Sequence, residues 1–379
     1  MSKVVELLEL YNPNGVFQSD LREVSSIMRG KRVTKRDVKE SGDYPVISGG
    51  ESPMGYYDTF NRDANTITIA QYGAAGYVDF QKNKFWANDV CYSILPFESV
   101  DNKYLYYTLK SKQNFIYSIR NTDAVPFSLP INTLYSIQIP LPHIKVQEEI
   151  VKILDSFTNL IDALNEELSL RQKQFEYYRE KLLTFDDKSL LKPINEIGTL
   201  FRGNGLQKKD FVDEGVGCIH YGQIYTKLGF SLSKPLTYVT KETAKPLTKV
   251  RKGDLVIACT SENIEDVCKS VVWEGEEEIV TGGHACVLRH NENPRYIGYF
   301  FQTHQFFMQK KQYAYGAKVI DIKTEKLGEI LIPVPSLAIQ LSIVEKLDAF
   351  ESLISSLKEE IALRQKQYEY YREKLLTFD

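Results

Sequence analysis

The sequence predicts an α+β chain: two mixed α/β domains, rich in strands, separated by two long helices that pair as an antiparallel coiled coil. Three observations carry this. The segment 134–186 recurs at 327–379, a shift of 193 residues taking Leu134 onto Leu327. Each copy holds a long run of apolar residues at alternating steps of four and three. The stretches before the copies, about 20–133 and 190–326, diverge, yet keep one outline of short alternating strands.

The repeat sets the domain plan, with segments 1–142, 143–187, 188–335 and 336–379. Each copy opens on a Pro-marked stretch, IQIPLP before His143 and ILIPVP before Ser336. The residue before a proline disfavours helix, so the helices are expected to start after Pro142 and Pro335. In copy one, Ile150, Leu154, Phe157, Ile161, Leu164, Leu168, Phe175, Tyr178 and Leu182 form the seam. Copy two repeats it from Ile343 to Leu375, and Arg171 and Arg364 interrupt both at matching places. The ends are nearly identical: LRQKQFEYYREKLLTFD from Leu170 and LRQKQYEYYREKLLTFD from Leu363. They match on every helical face, although seam packing constrains only one. Either both surfaces dock one kind of partner, or the duplication is recent or kept uniform by recombination. Helices packed each on its own domain are the alternative to pairing.

The divergent halves align in outline. LREVSSIMRGKRVTKRD (Leu21–Asp37) parallels INEIGTLFRGNGLQKKD (Ile194–Asp210): an apolar lead, Arg-Gly, a basic pair, then Asp. YPVISGG (Tyr44–Gly50) is set against GCIHYGQ (Gly217–Gln223). Strands are predicted in Thr66–Phe80, Lys84–Pro96, Gly253–Thr260 and His284–His290, and helices over 103–119 and 295–311.

Bulk properties bound the function. At 379 residues the chain fits two domains better than one. No run of about 18 apolar residues suggests a membrane span, and the start lacks signal-peptide character. Five scattered cysteines, with no CxxC pair, fit buried thiols of a reduced, cytoplasmic protein. The net charge of -3 argues weakly against nucleic acid, but Arg29–Arg36 places five basic residues in eight with no acid among them. No phosphate-binding G-x-x-x-x-G-K-[ST] loop is present. Nor is there an Asn/Asp-Pro-Pro-aromatic motif of amino-methyltransferases; NENPR at Asn291 is the nearest string. His284, Cys286 and His290 alternate along one strand, a poor arrangement for closed tetrahedral zinc, so no metal site and no catalytic residue is assigned.

Variable domain, IPLPHIKVQEEIVKILDSF, second variable domain, then IPVPSLAIQLSIVEKLDAF: this order resembles the specificity subunit of Type I restriction-modification systems. Gln147 and Gln340 behind the prolines, and the leads NTDAVPFSLPINTL (Asn121–Leu134) and YGAKVIDIKTEKL (Tyr315–Leu327), carry the resemblance. The second half has no clear match to KFWANDV. The resemblance implies two target-recognition domains reading the halves of a split double-stranded DNA site. It also implies two methyltransferase subunits on the helices and nuclease/translocase subunits joining through them. S-adenosylmethionine, ATP and Mg are then expected on those partners and no cofactor on this chain.

Loop residues able to bind phosphates or base edges give the DNA-binding candidates. They are Arg29, Lys31, Arg32, Lys35, Arg36, Ser48, Gln71, Tyr72, Lys82 and Lys84 in the first half. In the second they are Gln207, Lys208, Lys209, His220, Tyr221, Gln223, Thr260, Ser261 and Lys318. Trp86 is expected in the core. Arg171, Gln174, Tyr178, Arg179, Arg364, Gln367, Tyr371 and Arg372 are the partner-binding candidates. The rival functions are a nuclease carrying its own specificity domains and a coiled-coil scaffold without DNA binding.

If the helices space the half-sites, four residues inserted after Leu164 add ~6 Å of rise. A methylation map is then expected to show unchanged half-sites with a spacer longer by between one and two base pairs, at ~3.4 Å per pair. An unaltered spacer in a folded, assembled variant refutes the ruler role.

Overall fold

The computed structural model describes residues 2–123 and 125–378. Two compact units emerge, residues 1–166 with 359–379, and residues 167–358. They cut across the four consecutive segments of the sequence, because each long helix starts in one unit and ends in the other.

In the first unit the elements used below are β1 (Ser25–Arg29), β2 (Tyr44–Ile47), β3 (Thr66–Ala70), β4 (Val78–Gln81), β5 (Trp86–Ala87), β6 (Cys91–Pro96), α1 (Asn102–Ser111) and α2 (Ile144–Leu182). An antiparallel sheet of order β1-β6-β3-β4 forms the centre, and a smaller sheet pairs β2 parallel to β5. All five residues of β3 are buried, its threonines as well as its isoleucines, so both faces of the strand are covered. Its Ile67 and Ile69 pack with Tyr92, Ile94, Tyr104 and Leu105.

The second unit repeats the plan with β7 (Gly198–Arg202), β8 (Val216–Ile219), β9 (Leu255–Ala258), β10 (Ser270–Trp273), β11 (Ile279–Thr281), β12 (Ala285–His290), α3 (Pro294–Phe300) and α4 (Leu337–Leu376). Its central order is β7-β12-β9-β10, and β8 lies parallel to β11. The pairs Val46↔Trp86 and Cys218↔Val280 are therefore equivalent. Two corrections follow. YPVISGG aligns one residue away from the sequence-based pairing, with Val46 on Cys218. The missing counterpart of KFWANDV is the segment leading into β11 and on to His284, invisible in sequence because topology is kept without side-chain likeness.

The helices predicted over 103–119 and 295–311 each divide. The first breaks at Lys112 between α1 and Gln113–Ser118. The second breaks before His304–Tyr313, where the Thr303 side chain accepts a hydrogen bond from the Phe306 N–H as a cap.

Helices α2 and α4 start where the prolines predict, two residues after Pro142 and Pro335, and a buried glutamine fixes each start. The Gln147 side chain is fully buried; its Oε1 accepts from the Asp101 N–H at 2.8 Å and its Nε2 donates to the Pro142 and Ser99 carbonyls. Gln340 likewise accepts from the Asn293 N–H at 3.0 Å and donates to the Pro335 carbonyl. Tyrosines back both clamps, with the Tyr104 hydroxyl donating to the Pro140 carbonyl and Tyr296 to Pro333, each at 2.9 Å.

Beyond the first turns, α2 and α4 pack antiparallel. In the first unit Phe157 stacks on Tyr371, and in the second Tyr178 stacks on Phe350. Each pair is the image of the other under the repeat. The bland alternative also holds in part: Val146, Ile150 and Leu154 are buried in the domain that precedes them, and Tyr368, Leu375 and Leu376 from the far end of α4 complete that same core.

Gln147→Leu strands one buried N–H and two carbonyls. It is expected to destabilise the first unit by about 3 kcal/mol, at 1–3 kcal/mol for a buried group left unpaired. A thermal melt unchanged from wild type would show the clamp to be dispensable.

Candidate nucleic-acid interface

The basic run folds as a closed turn at the edge of the first domain. The Thr34 N–H and hydroxyl both donate to Asp37 Oδ2 at 2.7 Å, and the Asp37 N–H returns to the Thr34 carbonyl at 3.0 Å. Those bonds hold the Asp37 carboxyl below its ordinary range, the Thr34 hydroxyl contributing most. Lys35 and Arg36 occupy the tip, exposed, and Lys31 and Arg32 are exposed on the approach. Among the described residues no carboxylate forms an ion pair with these four or with Arg29, whose guanidinium lies over the Tyr92 ring. Uncompensated cations on a rigid turn suit phosphate contact.

The second domain builds the same turn from a different sequence. The Gln207 N–H donates to Asp210 Oδ2 at 2.8 Å and the Asp210 N–H to the Gln207 carbonyl at 3.0 Å, leaving Lys208 and Lys209 exposed at the tip. The approach is less basic. Asn204 and Gly205 stand where Lys31 and Arg32 do, and Arg202 is bound to Asp321 at 3.1 Å.

Further loops join each turn. In the first domain the Asn88 amide donates to the Ser48 hydroxyl, the Ala74 N–H donates to the Gly49 carbonyl, and Tyr72 bridges to Ser128. Gly73, at φ 76°, lets the strands cross: a Cβ there would lie 2.6 Å from the Gly49 oxygen. Tyr72 is 40% exposed beside this crossing. In the second domain Lys208 approaches His220, whose ring lies 4.5 Å from Tyr221, itself 5.0 Å from His284. Lys318 is exposed on the loop whose base pairs Thr260 with Asp321.

Several candidates are buried or engaged within the chain. Gln71, Thr260 and Ser261 are buried at 4–5% exposure. Gln71 and Thr260 lie at strand ends, and their loops' register, not their side chains, carries them. His220 and Gln223 cap the helix Tyr221–Thr226, each side chain bonded to backbone of the same turn. Lys82 pairs with Asp162 of α2 at 2.9 Å, and Lys84 lies over Phe60 near Asp63. Trp86 is core, its indole N–H donating to the Lys31 carbonyl.

The helix candidates divide too. Arg171 bonds Gln174 and Glu167, and Arg364 bonds Gln367 and Glu360, as identical local networks. Tyr178 and Tyr371 are spent in the helix–helix stacks. Arg179 covers Phe175 and donates to Gln302, and Arg372 covers Tyr368. These four face inward. The outward residues missed by sequence reasoning are Leu170 and Tyr177, each 59% exposed, and Leu363 and Tyr370, at 59% and 57%. Their spacing of seven places each pair on one helix face, a signal present in the sequence alongside the stronger periodicity of the seam.

Among the described residues no cluster of three or more His, Cys, Asp or Glu side chains is placed to hold a metal. His284 turns at φ 69° before β12 toward Tyr221, while Cys286 is buried in the core. No described helix is long and apolar enough to cross a membrane.

The family described as the Type I restriction modification DNA specificity domain matches this chain twice, over residues 13–170 and 191–363. The chain belongs to that family. It is 30% identical over 293 residues to the specificity subunit of an Escherichia coli type I restriction enzyme, covering 73% of this chain and 70% of that one. A Haemophilus influenzae protein named as a specificity subunit is 29% identical, with 94% of each chain covered. The crystal structure of a Type I S subunit from Mycoplasma genitalium superposes with a TM-score of 0.64 at 18% identity, covering 96% of both chains, a likeness of fold. Members of this family are non-catalytic DNA-recognition subunits, which supports that reading over the self-contained nuclease and the simple scaffold. The duplicated domain match coincides with the duplicated turn.

Burial chiefly, then Lys208 and His284, hold His220 below its ordinary pKa of 6.5. On acidification the unfolded chain takes up this proton first. The stability present above pH 6.5 is therefore lost as pH falls through the folded value. His220→Asn is expected to flatten the fall in melting temperature between about pH 7 and pH 5; an unaltered profile would show His220 titrating alike in both states.

Proposed function

We propose that this specificity subunit reads a bipartite double-stranded DNA site, one half per domain, and docks two methyltransferase subunits, through which nuclease/translocase subunits join. The observation that carries the reading is the pair of Asp-closed turns, each presenting two free cations at equivalent places in domains that otherwise differ. Phosphate contacts from the turns fix register, and the neighbouring loops around Ser48 and Tyr72, and around Tyr221 and Lys318, meet base edges in the major groove. The outward faces of Leu170 and Tyr177, and of Leu363 and Tyr370, are the docking surfaces. Two like surfaces fit two like subunits, which accounts for identity on faces the seam does not constrain. S-adenosylmethionine, ATP and Mg belong to those partners, in a cytoplasmic complex.

Methylome sequencing of cells with and without the gene is expected to yield a two-part motif. Exchanging residues 20–133 for those of another such subunit is expected to change one part only; a change in both overturns the reading. In binding assays, Lys31, Arg32, Lys35 and Arg36 together changed to Ala are expected to lower the slope of log affinity against log salt by up to about 3.6, at about 0.9 per phosphate contact. An unchanged slope would show that this turn does not touch DNA.

A further inference from the structure

We infer that Asn88 is a positioning residue for the first half-site: its buried amide holds the basic turn at a fixed height beside the Ser48 loop. The inference rests on the proposed DNA-facing role of that turn. Asn88 is 4% exposed, directly after β5. Its Oδ1 accepts from the Val33 N–H at 3.0 Å and the Asp89 N–H at 2.9 Å. Its Nδ2 donates to the Val33 carbonyl and the Ser48 hydroxyl, each at 3.2 Å. One planar group thus uses both faces of its hydrogen-bonding capacity to join three segments. The rest of the joint is backbone: the Lys31 N–H donates to the Ala87 carbonyl at 2.9 Å, and Gly30 lies so close that a Cβ would come within 2.1 Å of that oxygen.

Position 88 matches Gly282, and there the joint is made without a side chain. A Cβ on Gly282 would lie 2.0 Å from Leu206 Cβ, and one on Gly203 would lie 2.0 Å from the Gly282 oxygen. Leu206 holds the place of Val33, two residues before the tip cations. The two domains therefore seat equivalent turns by different means, an amide bridge in one and glycine against backbone in the other. Asn88 touches no cation itself; Lys35 and Arg36 depend on it through Val33 and the closed turn.

The test uses the full chain assembled with its methyltransferase subunits, and duplexes in which one half-site at a time is scrambled. Asn88→Ala is expected to weaken binding through the first half-site about tenfold, the scale of one buried partner left unpaired. It is expected to lower the salt slope as Lys35→Ala/Arg36→Ala does, and to leave the second half-site untouched. Added to Lys35→Ala/Arg36→Ala, it is expected to cost little more, because both act through one turn. Gly282→Ala is expected to mirror this at the second half-site. Independent additive losses, equal losses at both half-sites, or no loss overturn the positioning role. If Asn88→Ala unfolds the domain, Ser48→Ala removes a single bond and carries the same test: a first-half-site loss that vanishes in the Lys35→Ala/Arg36→Ala background supports the inference, and its absence overturns it. An unchanged slope in Lys35→Ala/Arg36→Ala itself would instead refute the underlying reading of the turn.

Discussion

A buried glutamine at the root of each long helix is the constraint on which the remaining structure hangs. Gln147 and Gln340 have no exposed surface, and each must satisfy its amide inside the protein. They do so by joining the Pro-marked strand, the helix start and the N-terminus of α1 or α3. The direction in which each helix leaves its domain is thereby set by a polar contact that tolerates little rotation. Apolar packing alone would permit sliding along the groove. The adjacent ion-pair sites reinforce the placement: Asp155 of α2 meets Lys103 and the Tyr107 hydroxyl, and Asp348 of α4 meets Arg295 and the Tyr299 hydroxyl.

Given that placement, the far end of α4 completes the core of the first unit, while the far end of α2 contributes to the second. Buried Tyr368, Leu375 and Leu376 reach the first unit from distant sequence, whereas Leu183 in the second stands just ahead of its own domain. The first unit is therefore not finished by consecutive residues, whereas the second is the continuous stretch 167–358. The two nearly identical helix ends are placed alike in this arrangement. Their inward residues fill equivalent cores, and their outward residues present equivalent surfaces.

The two domains share one mechanical frame and differ in chemistry. Both close a basic turn with an aspartate and both cross a parallel strand pair beneath it. What differs is the filling: Lys31 and Arg32 against Asn204 and Gly205, and Asn88 against Gly282. A free Arg29 stands against an Arg202 neutralised by Asp321. The first domain is thus the more electropositive at its turn. The second surrounds its turn with the aromatic and imidazole rings of His220, Tyr221 and His284.

Sequence alone determined the duplication, the helix starts behind Pro142 and Pro335, the antiparallel seam and the aspartate that follows each basic pair. All of these rest on periodicity, proline geometry or direct residue identity, which are local properties. It also carried the family. Tertiary structure decided which loop residues are available. Gln71, Thr260 and Ser261 look like any polar loop residues until long-range pairing buries them, and Arg179 looks like surface until its guanidinium packs over Phe175 and against Gln302. Asn88 carried no signal, because its counterpart is a glycine and the equivalence exists only in strand topology. Hydrogen-bond partners remote in sequence, such as Val33 and Ser48, leave no local pattern; only the closed sheet brings them to one amide.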